Sequence, residues 1–256
     1  MPTALQVLRV PYTRAHETGE SPTRCMARPE LTRFLILSRQ RSASTTLVSM
    51  LDKHPNVTCL MELLNPGGPI MPFLSPRLVV AGEKYVDMTA LREALGVRTH
   101  PEAMTNLPAV MSRFWGWCPH ATCGFKVFDD HVRQPARLSQ LISHKLSRGS
   151  TPIKLVVLER RNVSAEYVSW QRAMSTGVWG RRPGDQRQRG TIPRPTLASS
   201  VSFEEFRAKH EAWFLSVHSL AATLPTLRLI TEEMIKTEHS LARTQLRLFK
   251  FLGLTG

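Results

Sequence analysis

The sequence predicts an α/β protein whose parallel, doubly wound sheet is flanked by helices. Three observations support this. Short apolar runs at Phe34–Leu37, Thr122–Phe128 and Ile153–Leu158 have the length and continuity of strands buried on both faces. Segments with helical apolar spacing lie between and after them, as at 135–148 and 163–175. Polar turns rich in small residues separate the two kinds, so strand and helix alternate along the chain, the pattern of a parallel sheet.

Taken in order, residues 1–30 are irregular, and Glu17 and Glu20 argue against a transit peptide, so they read as a mobile arm. Residues 31–256 read as one domain. Phe34–Leu37 breaks into a polar turn, Ser38–Ser42, and then into a segment with Leu47, Val48, Met50 and Leu51 on one helical face. Asn65–Pro76 is rich in Pro and Gly and predicts a loop. Val86–Trp117 predicts two or three helical pieces and no strong strand, and residues 64–122 together predict a lid or substrate region.

Thr122–Phe128 predicts a strand, Asp129–His131 a polar turn, and Pro135–Arg148 a helix with Leu138, Leu141, Ile142 and Leu146 on one face. Ile153–Leu158 is the clearest buried strand and Val163–Ser175 a helix. Gly180–Pro195 is a basic loop containing Arg181, Arg182, Arg187 and Arg189. Phe203–Leu220, Leu227–Ile230 and Leu241–Leu252 complete the chain as helix, strand and helix.

The 256 residues suffice for one α/β domain with a full core. Lys and Arg number 34 against 20 acids, a formal charge of +14 that favours anionic partners. No RNA-binding signature or zinc-finger spacing accompanies that charge, so a nucleic-acid partner is not expected. Four cysteines do not make a disulfide framework in a chain this long. Cys118, His120 and Cys123 lie close together but lack a fourth metal ligand. A Cys118–Cys123 disulfide or two buried thiols is the expectation, with no metal site. No apolar run reaches the roughly 18–20 residues of a membrane span, which favours a soluble intracellular protein.

The turn after the first strand carries Arg39 and Arg41 and then five small residues, Ser42, Ala43, Ser44, Thr45 and Thr46. Small side chains let a ligand approach the backbone, and the N–H groups and dipole of the following helix favour an anion there. The two arginines read as mobile charge with forked donors. The same residues would also make an ordinary capped helix. A triphosphatase loop GxxxxGK[ST] is excluded, because the second Gly and the Lys are missing. A second region, Leu158–Gly180, ends a strand in Arg160–Arg161 and places Ser169 a little over two helical turns later. Both residues can therefore reach one anionic group.

RSASTTL followed by LDKHP resembles the 5′-phosphosulfate loop of sulfotransferases that use 3′-phosphoadenosine 5′-phosphosulfate (PAPS). Arg161 and Ser169 resemble the 3′-phosphate motif of that superfamily. RRN, YVSWQRA and TGVW most resemble its nodulation-factor and trehalose branch, GFKVF at 124–128 resembles the strand motif that branch carries between the two phosphate motifs, and LITEEM and FLGL resemble later motifs of the family. The resemblance covers about Leu31–Leu254. It implies a P-loop-like sulfotransferase fold and PAPS as sulfuryl donor. It further implies a 5′ site at Arg41, Ser42, Ala43, Ser44, Thr45 and Thr46, with Arg41 also catalytic, and a 3′ site at Arg161 and Ser169. Glu62 stands where tyrosylprotein sulfotransferases carry their acidic base, and His131 and His54 are lesser candidates.

The implied acceptor is a hydroxyl, of a carbohydrate or glycolipid. Three departures stand out. Ala43 replaces a glycine at a position that can need positive φ, Thr231 replaces a common Tyr, and the sequence stops two residues after FLGL. They keep open a nucleotide-binding relative without catalysis, and the charge alone keeps open a basic nucleic-acid-binding protein.

Overall fold

Seven residues, Thr32–Ser38, form β1, and its last five are buried. The structure is a computed structural model that describes residues 31–65, 77–80, 84–97, 100–118, 120–132, 135–142, 152–176 and 201–254. The arm at 1–30, the loop at 66–76 and the basic loop at 180–195 lie outside the described residues. After β1 come helix α1 (Ser44–Asp52) and strand β2 (Val57–Leu60). A two-stranded antiparallel hairpin, β3 (Arg77–Val80) and β4 (Lys84–Asp87), precedes helices α2 (Met88–Leu95), α3 (His100–Thr105) and α4 (Leu107–Trp117). The three helical pieces match expectation for Val86–Trp117, and the hairpin lies just ahead of them, overlapping that segment only at Val86 and Asp87.

Next follow β5 (Thr122–Val127), a helical turn α5 (Asp129–Val132), α6 (Pro135–Ile142), β6 (Lys154–Glu159) and α7 (Val163–Thr176). The chain continues through α8 (Phe203–Ala221), β7 (Thr226–Ile230), the short α9 (Thr231–Met234) and α10 (Glu238–Leu252).

The main sheet has five strands in the order β2-β5-β1-β6-β7, with every pairing parallel. β1 lies at its centre, paired Phe34 to Gly124 on one side and Phe34 to Lys154 on the other. Alternate side chains of β1 serve different cores. Phe34 and Ile36 join Leu47, Val48 and Leu51 of α1 and Leu248 and Leu252 of α10 on one face. Leu35 and Leu37 join Phe125, Leu155 and the apolar sides of α2, α4 and α8 on the other. Gly124 has a packing reason: a Cβ there would collide with the carbonyl oxygen and ring of Phe34.

The strand order reverses between β1 and β6. The chain leaves β1 towards β2 on one side and leaves β6 towards β7 on the other. In open parallel sheets such a reversal leaves a crevice at the carboxyl ends of the strands, where ligands bind. The loops after β1 and β6 both open there.

Candidate functional site

Residues 39–43 turn the chain from β1 into α1 through two left-handed positions, Arg41 at φ 68° and Ala43 at φ 60°. Ala43 is the N-cap, so the position at which the sequence substitutes Ala for Gly does require positive φ. α1 begins with no side-chain cap and no acidic residue in its first turn. Two longer helices differ, with a capping box of Ser202 and Glu205 on α8 and Thr237 capping α10, whereas α4 shares with α1 the lack of a side-chain cap. The first N–H groups of α1 therefore face the crevice with the helix dipole behind them, an arrangement suited to an anion. Ser42, Ala43, Ser44, Thr45 and Thr46 run from this turn into the first turn of α1.

Three contacts hold the loop. The buried Ser42 hydroxyl donates to the Arg39 carbonyl at 2.7 Å, and Thr231 Oγ1 donates to the Ser42 carbonyl at 2.8 Å. Arg160 Nη1 donates to the Arg41 carbonyl at 3.0 Å. Thr231, the departure from Tyr, thus has a structural task. Arg41 turns its side chain to α7, where Nε donates to Ser169 Oγ at 2.9 Å. Partial burial, and then the charge of Arg160, pull the Arg41 guanidinium below its usual range. An arginine remains cationic at neutral pH even so.

Arg39 is not the mobile charge its sequence position suggests. It is buried, with Nε 3.1 Å from Asp129 Oδ2, Nη1 3.5 Å from Glu166 Oε1, and its guanidinium 4.3 Å over the Phe206 ring. The fully buried Glu166 also lies 3.4 Å from His210 Nδ1 of α8. Burial of these charges demands pairing, and the pairing pins the loop to α5, α7 and α8.

At the start of α7, Glu232 accepts from the backbone N–H of Arg161 at 3.1 Å and of Asn162 at 2.9 Å. The Arg161 side chain is exposed and 3.9 Å from Glu233. Among the described residues it makes no hydrogen bond with Ser169, so the structure joins Ser169 to Arg41 rather than to Arg161.

Glu62 follows β2 at the same end of the sheet. Its Oε1 pairs with Lys126 Nζ at 2.9 Å, Oε2 lies 3.8 Å from His131 Nε2, and Asn65 donates to it as well. Burial pushes the Glu62 carboxyl up, but Lys126, His131 and Asn65 outweigh that and leave it below its usual range. Lys126, nearly fully buried on β5, also reaches Thr45 Oγ1 at 3.5 Å, connecting Glu62 to the first turn of α1.

The Phe128 N–H donates to His131 Nδ1 at 3.2 Å, so the neutral ring carries its proton on Nε2, towards Glu62 and Asp130. Burial, then the charges of Asp129 and Glu62, raise the Asp130 carboxyl to about 6. Gln40 donates to Asp130 Oδ2 at 2.7 Å. His54 lies apart from this group: its Nδ1 accepts from the Asn56 N–H at 3.2 Å and its ring packs on Phe249.

The sequence reading assigned Lys126, Asp130 and Arg160 no role. A lysine inside the otherwise apolar strand TCGFKVF was the available signal, because a buried ammonium needs a partner. Cys118 and Cys123 are joined as a disulfide. His120 turns to the Thr58 hydroxyl, and the described residues contain no cluster of three or more potential metal ligands. Among the described residues no helix is long and apolar enough to cross a membrane.

The fold and site together define a parallel α/β protein with an uncapped helix N-terminus at its topological switch point. No family model matches the chain, and no curated protein matches it. Among solved structures it is similar to the sulfotransferase domain from the curacin biosynthetic pathway, at 15% identity and a TM-score of 0.48, over 89% of this chain and 76% of that one. It is also similar to a sulfotransferase from Alicyclobacillus acidocaldarius, at 13% identity and a TM-score of 0.43, over 88% of this chain and 81% of that one. Likenesses this distant assign no reaction and no residue role.

Proposed function

We propose that the chain is a sulfotransferase that uses PAPS as donor and acts on a hydroxyl of a carbohydrate or glycolipid. The observation that most supports this is the uncapped α1 N-terminus, tied through Arg41 to Ser169 and through Lys126 to Glu62. One end of that constellation suits a 5′-phosphosulfate, another a 3′-phosphate, and the third a proton acceptor. When bound, PAPS supplies the sulfuryl group and leaves as adenosine 3′,5′-bisphosphate.

The N–H groups of Ser44 and Thr45 and the hydroxyls of Ser44, Thr45 and Thr46 would hold the 5′ oxygens. Arg41 offers fixed positive charge to the leaving and transferred oxygens, the main demand of such a transfer. Glu62 would take the acceptor hydroxyl's proton at a carboxylate oxygen. Lys126 keeps Glu62 ionised and pointed at the loop. Arg161 and Ser169 would hold the 3′-phosphate.

A second reading is a relative that binds the nucleotide and transfers nothing. The left-handed Arg41 and Ala43 and the engagement of Glu62 by Lys126 and Asn65 favour it. Incubation with PAPS and a panel of sugars and glycolipids separates the two. Acceptor-dependent release of adenosine 3′,5′-bisphosphate supports the enzyme, and tight nucleotide binding without release on any acceptor supports the second reading. Failure to bind either nucleotide would remove both.

A further inference from the structure

The N-terminus of α7 is already occupied by an anion of the protein itself. The Glu232 carboxylate accepts from both Arg161 N–H and Asn162 N–H, so those donors are not available to a ligand. A phosphate that uses Ser169 must therefore lie further along the helix. A concavity runs along that outer side of α7, lined by Asn162, Ser164, Ala165, Val168, Ser169 and Arg172. Ser169 and Arg172 are three residues apart, which makes them neighbours on one helical face.

Two side chains on this face, Ser169 and Arg172, can donate to an incoming anion. Ser169 Oγ accepts from Arg41 Nε at 2.9 Å, which leaves its own O–H free to donate outwards. Arg39, Arg41, Arg160 and Arg161 are each engaged by protein oxygens. The guanidinium of Arg172 makes no ion pair or hydrogen bond among the described residues, although it lines the same concavity.

We propose that Arg172 is a phosphate-binding residue, and that a phosphate monoester rests between Ser169 and Arg172 on the outer face of α7. This rests on the reading of the site as one for a 3′-phosphorylated nucleotide, and it names the residue that supplies most of the charge there. A forked guanidinium at one end and a serine hydroxyl at the other match a dianionic monoester. Arg161, exposed and only loosely paired with Glu233, can swing over the same group but does not have to provide its floor.

The test is calorimetric titration of the intact chain with adenosine 3′,5′-bisphosphate and with 5′-AMP. In the unchanged protein the bisphosphate should bind more tightly. Arg172→Gln should weaken the bisphosphate by roughly ten- to a hundredfold and leave 5′-AMP unchanged, the range expected for a charge-assisted contact. Arg172→Lys should fall between the two, because an ammonium keeps the charge and loses the fork. Arg247→Gln, an exposed arginine on α10, should change neither and controls for net charge.

Arg172→Gln binding the bisphosphate as tightly as the unchanged protein overturns the inference while the nucleotide reading survives. Equal affinity of the unchanged protein for both nucleotides overturns the nucleotide reading and this inference with it. Because Arg172 is exposed, its variants should keep the parent melting temperature, and that measurement separates lost binding from lost folding.

Discussion

Arg41 in the first loop and Ser169 in α7 meet through a 2.9 Å hydrogen bond across 128 residues of sequence. The bond joins the loop after β1 to the helix that follows β6, across the crevice between those strands. Any ligand that engages one of these residues acts on the orientation of the other.

Ser169→Ala removes the acceptor for Arg41 Nε and a donor for the 3′-phosphate. Affinity for adenosine 3′,5′-bisphosphate should fall roughly tenfold, while 5′-AMP should lose far less. Arg161→Ala should show the same selectivity with a smaller loss, since that side chain is exposed. Equal losses for both nucleotides, measured by calorimetry, would remove the 3′ assignment.

Ala43 sits at φ 60°, where a Cβ costs about 1–2 kcal/mol. Ala43→Gly relieves that strain and gives back part of it as unfolded-chain entropy, a net gain of roughly 0.5–1 kcal/mol. The melting temperature should rise by about 1–4 °C. A fall in melting temperature would show that the loop is not strained at this residue.

Asp130 titrates near 6 in the folded chain, above its ordinary range. The folded form therefore holds this proton more tightly than the unfolded one, and its contribution to stability is lost as pH rises from about 4 towards 6. Asp130→Asn removes the effect and can still accept from Gln40. The variant should melt no higher than the parent at pH 4 and roughly 1–3 °C higher at pH 7.5, a small shift because the side chain is half exposed. A difference that does not change with pH would contradict the raised carboxyl.

Glu62→Gln should retain nucleotide binding and lose at least about a hundredfold in turnover. It also deprives the buried Lys126 of its counter-charge, at a cost of roughly 1–3 kcal/mol in urea unfolding. Adding Lys126→Met should recover part of that stability without restoring activity. Full turnover in Glu62→Gln would exclude it as the base.

The parallel core was legible because β1, β5 and β6 are largely buried on both faces and therefore read as mainly apolar runs. β2 was not, because four residues after the HPN turn merge with the segment before them. The β3–β4 hairpin escaped notice because each strand has only four residues, too few for a period to show. In the site, the small residues of the loop and Ser169 were visible as residue types at a spacing. Their linkage through Arg41 depends on a loop conformation with positive φ, which no spacing encodes. Arg39 misled for the converse reason: what buries it, Phe206 and Glu166, lies more than a hundred residues away.

The position of β1 between β5 and β6 divides responsibilities in the proposed reaction. Glu62, Lys126, Asp130 and His131 all stand on the β2–β5 side, whereas Arg160, Ser169 and Arg172 stand on the β6–α7 side, and the loop after β1 touches both. A lineage could therefore rewrite what it modifies by substitutions on one flank and inherit its donor chemistry untouched on the other. On the proposed reading, an engineer in search of a new acceptor would diversify the β2–β5 flank and hold the β6–α7 flank constant.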